Sequence, residues 1–252
     1  LDSDFATPAN STFTQIANVP ISEFDSDLCG LFSFNCFPQP GTGITLDPLR
    51  EVIMNRLQYR NFGSHETLVG NFVTDVDGTD HGGVRWFELR RVGAGAWTLE
   101  QEGTIAPDGD HRWMGSIAMT GAGDIALGYS ISSTSVNPGL RYVGRLAADP
   151  PGTMPRGENT IVNGGGFNGS NRWGDYFSMN VDPVDDSTLW FVGGYALASH
   201  VWQTRVAKLS FAGEAGGLCE DFDGVSPPAL PPGWTSESAA GASTQAGARS
   251  CS

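Results

Sequence analysis

One passage occurs twice in the chain. His111-Arg112-Trp113-Met114-Gly115-Ser116-Ile117-Ala118-Met119 recurs sixty residues later as Asn171-Arg172-Trp173-Gly174-Asp175-Tyr176-Phe177-Ser178-Met179. Each copy leads through a turn into an apolar run that ends in Gly-Tyr, at Gly128-Tyr129 and at Gly194-Tyr195. A period of about 40–60 residues built only of strand-like segments points to radially repeated four-stranded sheets, a β-propeller. The fold class expected is therefore all-β, in four-stranded antiparallel blades.

The rest of the pattern follows this period. Alternation of apolar and polar residues is clearest in Val84-Arg85-Trp86-Phe87-Glu88-Leu89, and strands are expected over 66–74, 83–90 and 96–104. A second group is expected over 114–120, 125–132, 140–147 and 159–164, and a third over 176–181, 188–195 and 201–211. Gly121-Ala122-Gly123-Asp124 and the segment 182–187 read as matching hairpin loops, the first with glycines for positive φ. Residues 1–48 form an irregular lead-in with one strand over 13–19, and a helical turn is expected over 46–57. Blades occupy 49–212, and 213–252 turns to Gly, Ala, Ser and Pro as a linker to a second β-domain. About three blades, four with help from the lead-in, are fewer than the number that closes a larger six- or seven-bladed ring. The missing blades then come from the rest of a parent chain or from a neighbouring molecule.

The charge is lopsided, with 28 acidic against 14 basic side chains and a net charge of −14. Such a surface repels phosphate, which argues against nucleic acid and anionic lipid as partners. No apolar run approaches the roughly 20 residues that span a bilayer, and Leu1-Asp2-Ser3-Asp4 has neither the basic start nor the apolar middle of a signal peptide. The chain is expected to begin at a processing boundary. Four cysteines lack metal-type spacing, so two disulfides, Cys29–Cys36 and Cys219–Cys251, are expected in an oxidising compartment. Asn10-Ser11-Thr12 and Asn168-Gly169-Ser170 fit the glycosylation sequon.

The two Arg-Trp passages, with Tyr59-Arg60-Asn61-Phe62-Gly63, His65-Glu66, the Val84 to Arg90 strand and Val181-Asp182-Pro183-Val184-Asp185-Asp186-Ser187-Thr188-Leu189-Trp190, resemble a family of large secreted bacterial proteins with a sialidase-like propeller. The resemblance covers roughly residues 36–211. It implies fold and a secreted or cell-surface location, and carries no established reaction with it. The Asp185 to Trp190 segment also resembles a degenerate Asp-box, with Ser187 in place of the glycine and Leu189 in place of the threonine. Cys219 to Trp234, with Phe222-Asp223-Gly224-Val225 and Leu230-Pro231-Pro232-Gly233-Trp234, resembles the start of an appended jelly-roll module.

Arg112 and Arg172 hold the same place in the repeat and are expected to converge on one face, where two guanidiniums would clamp a carboxylate. Likeness to sialidases would then make Tyr176 a nucleophile polarised by Glu66, with Asp175 as proton donor. The competing expectation is that the repeated residues join one sheet to the next. Trp113, Trp173 and His65 are candidate binding residues. Asp75, Asp77 and Asp80 in one acidic loop, and Asp182 and Asp185 in another, are candidate Ca²⁺ ligands, weighed against simple loop solvation. The function expected is a non-catalytic extracellular module for adhesion, glycan binding or surface assembly, with a glycan or surface protein as partner. The alternatives are a sialidase-like glycoside hydrolase and a structural subunit of a filament or surface layer.

Overall fold

The computed structural model describes residues 4–12, 14–30 and 32–211, together with the backbone of 218–220. The chain is all-β, with a single 3-10 turn at Pro8–Asn10 the only helical element among the described residues. Among the described residues twelve strands form three four-stranded antiparallel sheets, each a simple up-and-down meander in chain order. The first holds β1 (Gln58–Asn61), β2 (Glu66–Asp75), β3 (Gly82–Arg91) and β4 (Thr98–Ile105). The second holds β5 (His111–Met119), β6 (Ile125–Ser132), β7 (Gly139–Arg145) and β8 (Asn159–Val162). The third holds β9 (Ser178–Val181), β10 (Leu189–Ala198), β11 (Val201–Phe211) and β12 (Leu218–Glu220).

The hairpins form where the turn chemistry asks for them. In the β5–β6 loop, Gly123 sits at φ +86°, and Thr120 and Asp124 close the turn through a backbone bond of 2.9 Å. The sheets then stack in sequence, β2 and β3 on β5, and β6 and β7 on β10. Alternation along β6 explains how one sheet serves both interfaces. Ile125, Leu127 and Tyr129 join Val69, Val84, Trp86 and Ile117 in the core between the first two sheets. Ala126 faces the other way, into a core with Leu140, Met179, Leu189 and Phe191. Gly128 lies on that second face, and a Cβ there would stand 2.6 Å from the Phe191 ring, so glycine sets how closely the third sheet approaches. Each fully buried large side chain in these cores contributes about 2–3 kcal/mol.

The first strands of the three sheets, β1, β5 and β9, lie next to one another. Ser116 in β5 donates to the Asn55 carbonyl (2.8 Å) and accepts from the Met179 N–H of β9 (2.8 Å). Arg60 in β1 donates to the Met119 carbonyl (3.0 Å) and grips Asp186 of the β9–β10 loop through both NH groups (2.8 and 2.5 Å). One side chain thus ties all three sheets.

The lead-in packs on the sheets and shares their core. Phe24 meets Phe72 at 4.7 Å on the outer face of the first sheet, and Leu28, Phe37 and Leu46 are fully buried. Gln39 and Asn168 exchange hydrogen bonds, Gln39 Nε2 donating to the Asn168 carbonyl and the Asn168 N–H to Gln39 Oε1 (3.0 and 2.7 Å). Two expectations are corrected here. Residues 14–19 form no strand, and 46–57 form no helix, because Leu46 instead bridges to Phe37 and Met54 bonds the Asn71 carbonyl. The Cys29–Cys36 disulfide is present. The expected Cys219–Cys251 bridge and the expected second β-domain lie outside the described residues, apart from the backbone of β12. No helix among the described residues is long and apolar enough to cross a membrane.

Candidate functional site

The repeated passage keeps its backbone and parts company in its side chains. Met114 and Gly174 hold the same place in the repeat, and both adopt left-handed φ, +50° and +49°. In the first copy this makes a bulge inside β5, between Trp113 and Ser116. In the second copy residues 171–177 form no strand, and pairing begins only at Ser178. Trp113 and Trp173 are both buried, Trp113 edge-on to Phe37 and Trp173 donating to Ser130 of the second sheet (2.9 Å). The two arginines part at this point.

Arg112, in β5, is fully buried, and every N–H of its guanidinium is engaged. Glu158 receives Nε and one NH2 hydrogen (2.6 and 2.9 Å). Asp108 receives a second bidentate pair (2.7 and 3.0 Å), and the Asp110 carbonyl takes the remaining NH1 hydrogen (2.7 Å). Tyr129 donates to Glu158 as well (2.7 Å). Burial works against the charge on Arg112, but the Glu158 and Asp108 carboxylates outweigh it and raise its pKa. Burial and the neighbouring Glu158 push the Tyr129 phenol well above its ordinary value. Arg112 has no donor left for a ligand.

Arg172 lies instead in the loop after β8, with its side chain 58% exposed, paired with Asp47 (3.2 Å) and with Asp175. It lines an open pocket of about 600 Å³, and Arg112 does not. The convergence of the two arginines expected from the repeat is therefore absent, because the second copy leaves the sheet where the first stays in it. The pocket is walled on one side by Trp173, Asp175, Tyr176 and Phe177, and on the other by Val192, Gly194, Thr204 and Trp202 of β10 and β11. Tyr176 and Trp202 stand out into it, 84% and 64% exposed. The structure thus brings Arg172, Trp173, Asp175 and Tyr176 together. Trp202 and Thr204 were not among the expected site residues, although both fall on one face of β11 by simple alternation.

The other expected residues sit elsewhere. Glu66 starts β2, where it accepts from Tyr59 (2.5 Å) and pairs with Arg91 (2.6 Å); the Tyr59 and Arg91 hydrogen bonds hold its carboxyl below the usual range. It does not line the pocket. His65 stacks on Phe62 at 4.8 Å and shares a hydrogen with Ser64.

The acidic loops spend their carboxylates on themselves. Asp75 accepts from the N–H groups of Asp77, Gly78 and Asp80, and Asp77 from Thr79. Asp80 accepts from the Cys29 N–H (2.6 Å). Asp182 accepts from Val184 and from the Trp190 indole (2.9 Å each). Asp185 accepts from Ser187 and Thr188, and the Thr188 bonds lower its pKa strongly. Among the described residues no three His, Cys, Asp or Glu side chains converge as ligands for an ion. Asn168 of the second sequon is likewise committed, buried and donating to the Ser170 and Arg172 carbonyls (2.8 and 2.9 Å).

Comparison with protein-family models, with curated proteins and with solved structures finds no match to this chain.

Proposed function

We propose that this chain is a non-catalytic extracellular module of the sialidase-like propeller type, which works by docking through the pocket and open face of its third sheet in adhesion or surface assembly. Three meanders in sequence, with their first strands adjacent, support the propeller reading. On that reading further blades come from a parent chain or a neighbouring molecule. The Cys29–Cys36 disulfide supports an oxidising, extracellular setting. The observation that carries the docking reading is the pocket itself, a concave site of about 600 Å³ with Tyr176 and Trp202 exposed at it and the Arg172–Asp175 ion pair in its wall.

Catalysis has less support. Hydrolysis of a glycoside asks for two carboxyl groups flanking the bond, or a nucleophile with its polarising partner. Asp175 is the one carboxylate in the pocket lining, it is paired with Arg172, and Glu66 lies outside that lining. A glycan is the ligand the exposed aromatics favour, since Tyr176 and Trp202 offer flat faces on which a sugar ring stacks.

Two measurements test the proposal. Beads carrying the protein are applied to a glycan array and to surfaces coated with the protein itself, and retention is compared with Trp202→Ala. Retention on at least one surface, lost in the variant, is expected; equal retention of both proteins rejects the site. In a fluorogenic sialoside assay no turnover is expected, and turnover abolished by Arg172→Ala would reject the non-catalytic reading.

A further inference from the structure

We infer that the pocket takes a neutral sugar through two adjacent hydroxyls, one accepting from Arg172 and the other donating to Asp175, and that a carboxylate on the sugar adds nothing. The inference rests on the docking reading above and names the ligand class.

Arg172 is the starting point. A guanidinium carries five N–H donors, and two of those on Arg172 are bonded, one to Asp47 (3.2 Å) and one to Asp175. The side chain is mostly exposed and lines the pocket, so donors remain for a ligand. Its charge is already met by two carboxylates, unlike the bare guanidinium that holds a carboxylate bidentately. Asp175 lines the pocket as well, with acceptor capacity beyond the one bond it takes from Arg172.

The pocket therefore presents a donor and an acceptor side by side, and this decides the ligand chemistry. A carboxylate only accepts, so it would suit Arg172 and leave its oxygens against those of Asp175. An ammonium only donates, so it would suit Asp175 and leave its hydrogens against those of Arg172. A hydroxyl does both. Neighbouring hydroxyls on a sugar ring stand about one hydrogen-bond length apart, which is the spacing of a bonded nitrogen and oxygen. One pair of hydroxyls then satisfies both groups and leaves no polar atom unmatched. The net charge of −14 sets the same preference at longer range, since it repels a sugar acid and leaves a neutral sugar unaffected.

The rest of the pocket suits the ring. Tyr176 and Trp202 are exposed and offer faces to its C–H groups. Gly194 lies in the lining inside β10, and a Cβ there would come no closer than 3.5 Å to the Phe177 ring, an ordinary contact. The fold has room for a methyl at this position, yet the lining is left bare. Glycine inside a strand marks a place of close approach.

Methyl glycosides of glucose, galactose and mannose, with their uronates and single-deoxy forms, are titrated against the full chain by saturation-transfer NMR. For ligands this small, dissociation in the millimolar range is expected. At least one neutral glycoside should bind, its uronate several-fold more weakly, and added salt should narrow that gap. Removing either of two neighbouring hydroxyls should weaken binding by about tenfold. Asp175→Asn keeps an acceptor and removes the repulsion, so the uronate should rise to equal its neutral parent, which itself changes only a few-fold. A uronate that binds the wild-type protein as tightly as its parent at low salt overturns the inference. A gap that Asp175→Asn leaves unchanged overturns it, as does a deoxy series without two neighbouring losses. The wild-type readouts stand even where Asp175→Asn folds poorly. Binding of no sugar overturns the inference as well. Trp202-dependent retention on protein-coated surfaces would in that case keep the docking reading with another ligand, and its absence would remove the docking site too.

Discussion

Replacing Arg112 and Arg172 one at a time separates their two roles, because they hold the same place in the repeat and face opposite fates in the fold. Arg112→Met removes a fully buried guanidinium and leaves Glu158, whose side chain is only 19% exposed, with the Tyr129 hydroxyl as its remaining donor. Breaking a buried pair from one side costs about 3–5 kcal/mol. The Asp108 half of the network adds less than about 1 kcal/mol, since that carboxylate is 54% exposed and water replaces the arginine. About 3–6 kcal/mol is therefore expected, which for a domain of this size lowers Tm by roughly 10 °C or more. Arg172→Met breaks pairs made by a side chain that is 58% exposed, and the expected loss is at most about 1 kcal/mol. Urea unfolding followed by tryptophan fluorescence reads both, provided m is unchanged. Glu158→Gln in the Arg112→Met background should restore part of the loss, as a non-additive cycle. Equal losses for the two arginines, or a loss below about 1 kcal/mol for Arg112→Met, would refute the assignment of Arg112 to the fold.

Two further outcomes follow from the same packing. Burial, helped by the neighbouring His81, lowers the pKa of His111 from 6.5 to about 4. The unfolded chain then takes up a proton that the fold refuses, so stability is intact above pH 6.5 and falls as pH drops toward 4, by at most about 3 kcal/mol. The lowered carboxylates of Asp108 and Asp149 act mainly below that window. Denaturation midpoints of His111→Asn should be flatter between pH 6.5 and 4, and an unchanged slope would exclude His111 as the cause. Ser116→Ala leaves the Met179 N–H and the Asn55 carbonyl without their partner where β1, β5 and β9 meet. A loss of about 1–3 kcal/mol is expected, together with faster amide hydrogen exchange at Met179; a variant with wild-type exchange there would show that the bond is not holding the sheets together.

Much of the strand pattern was legible because it is written locally. The run 125–132 was expected as a strand and is one to the residue, since apolar alternation and the glycine turn before it act within a few positions. β1 was missed. Gln58-Tyr59-Arg60-Asn61 has no apolar alternation, and its place is set by pairing with β2 and by the reach of Arg60 to Met119 and Asp186. The lead-in was read as irregular and is so in backbone, yet Leu28, Phe37 and Leu46 are core residues because distant sheets close over them. Of the candidate site, Arg172, Trp173, Asp175 and Tyr176 were found through the repeat, whereas Trp202 was not, since nothing in β11 alone says which face will be covered.

The repeat shows the division most clearly. By itself the sequence determined that this chain would be all-β, that sheets would recur at intervals, and that an Arg-Trp pair would mark each recurrence, because alternation and turn residues are local. The tertiary structure alone decided what the two arginines became. Glu158 and Asp108 lie within reach of Arg112 and compensate its burial, while Arg172 has been carried into a loop where solvent, Asp47 and Asp175 share it. A guanidinium is buried only where carboxylates meet it, and which carboxylates arrive is settled by how the sheets stack.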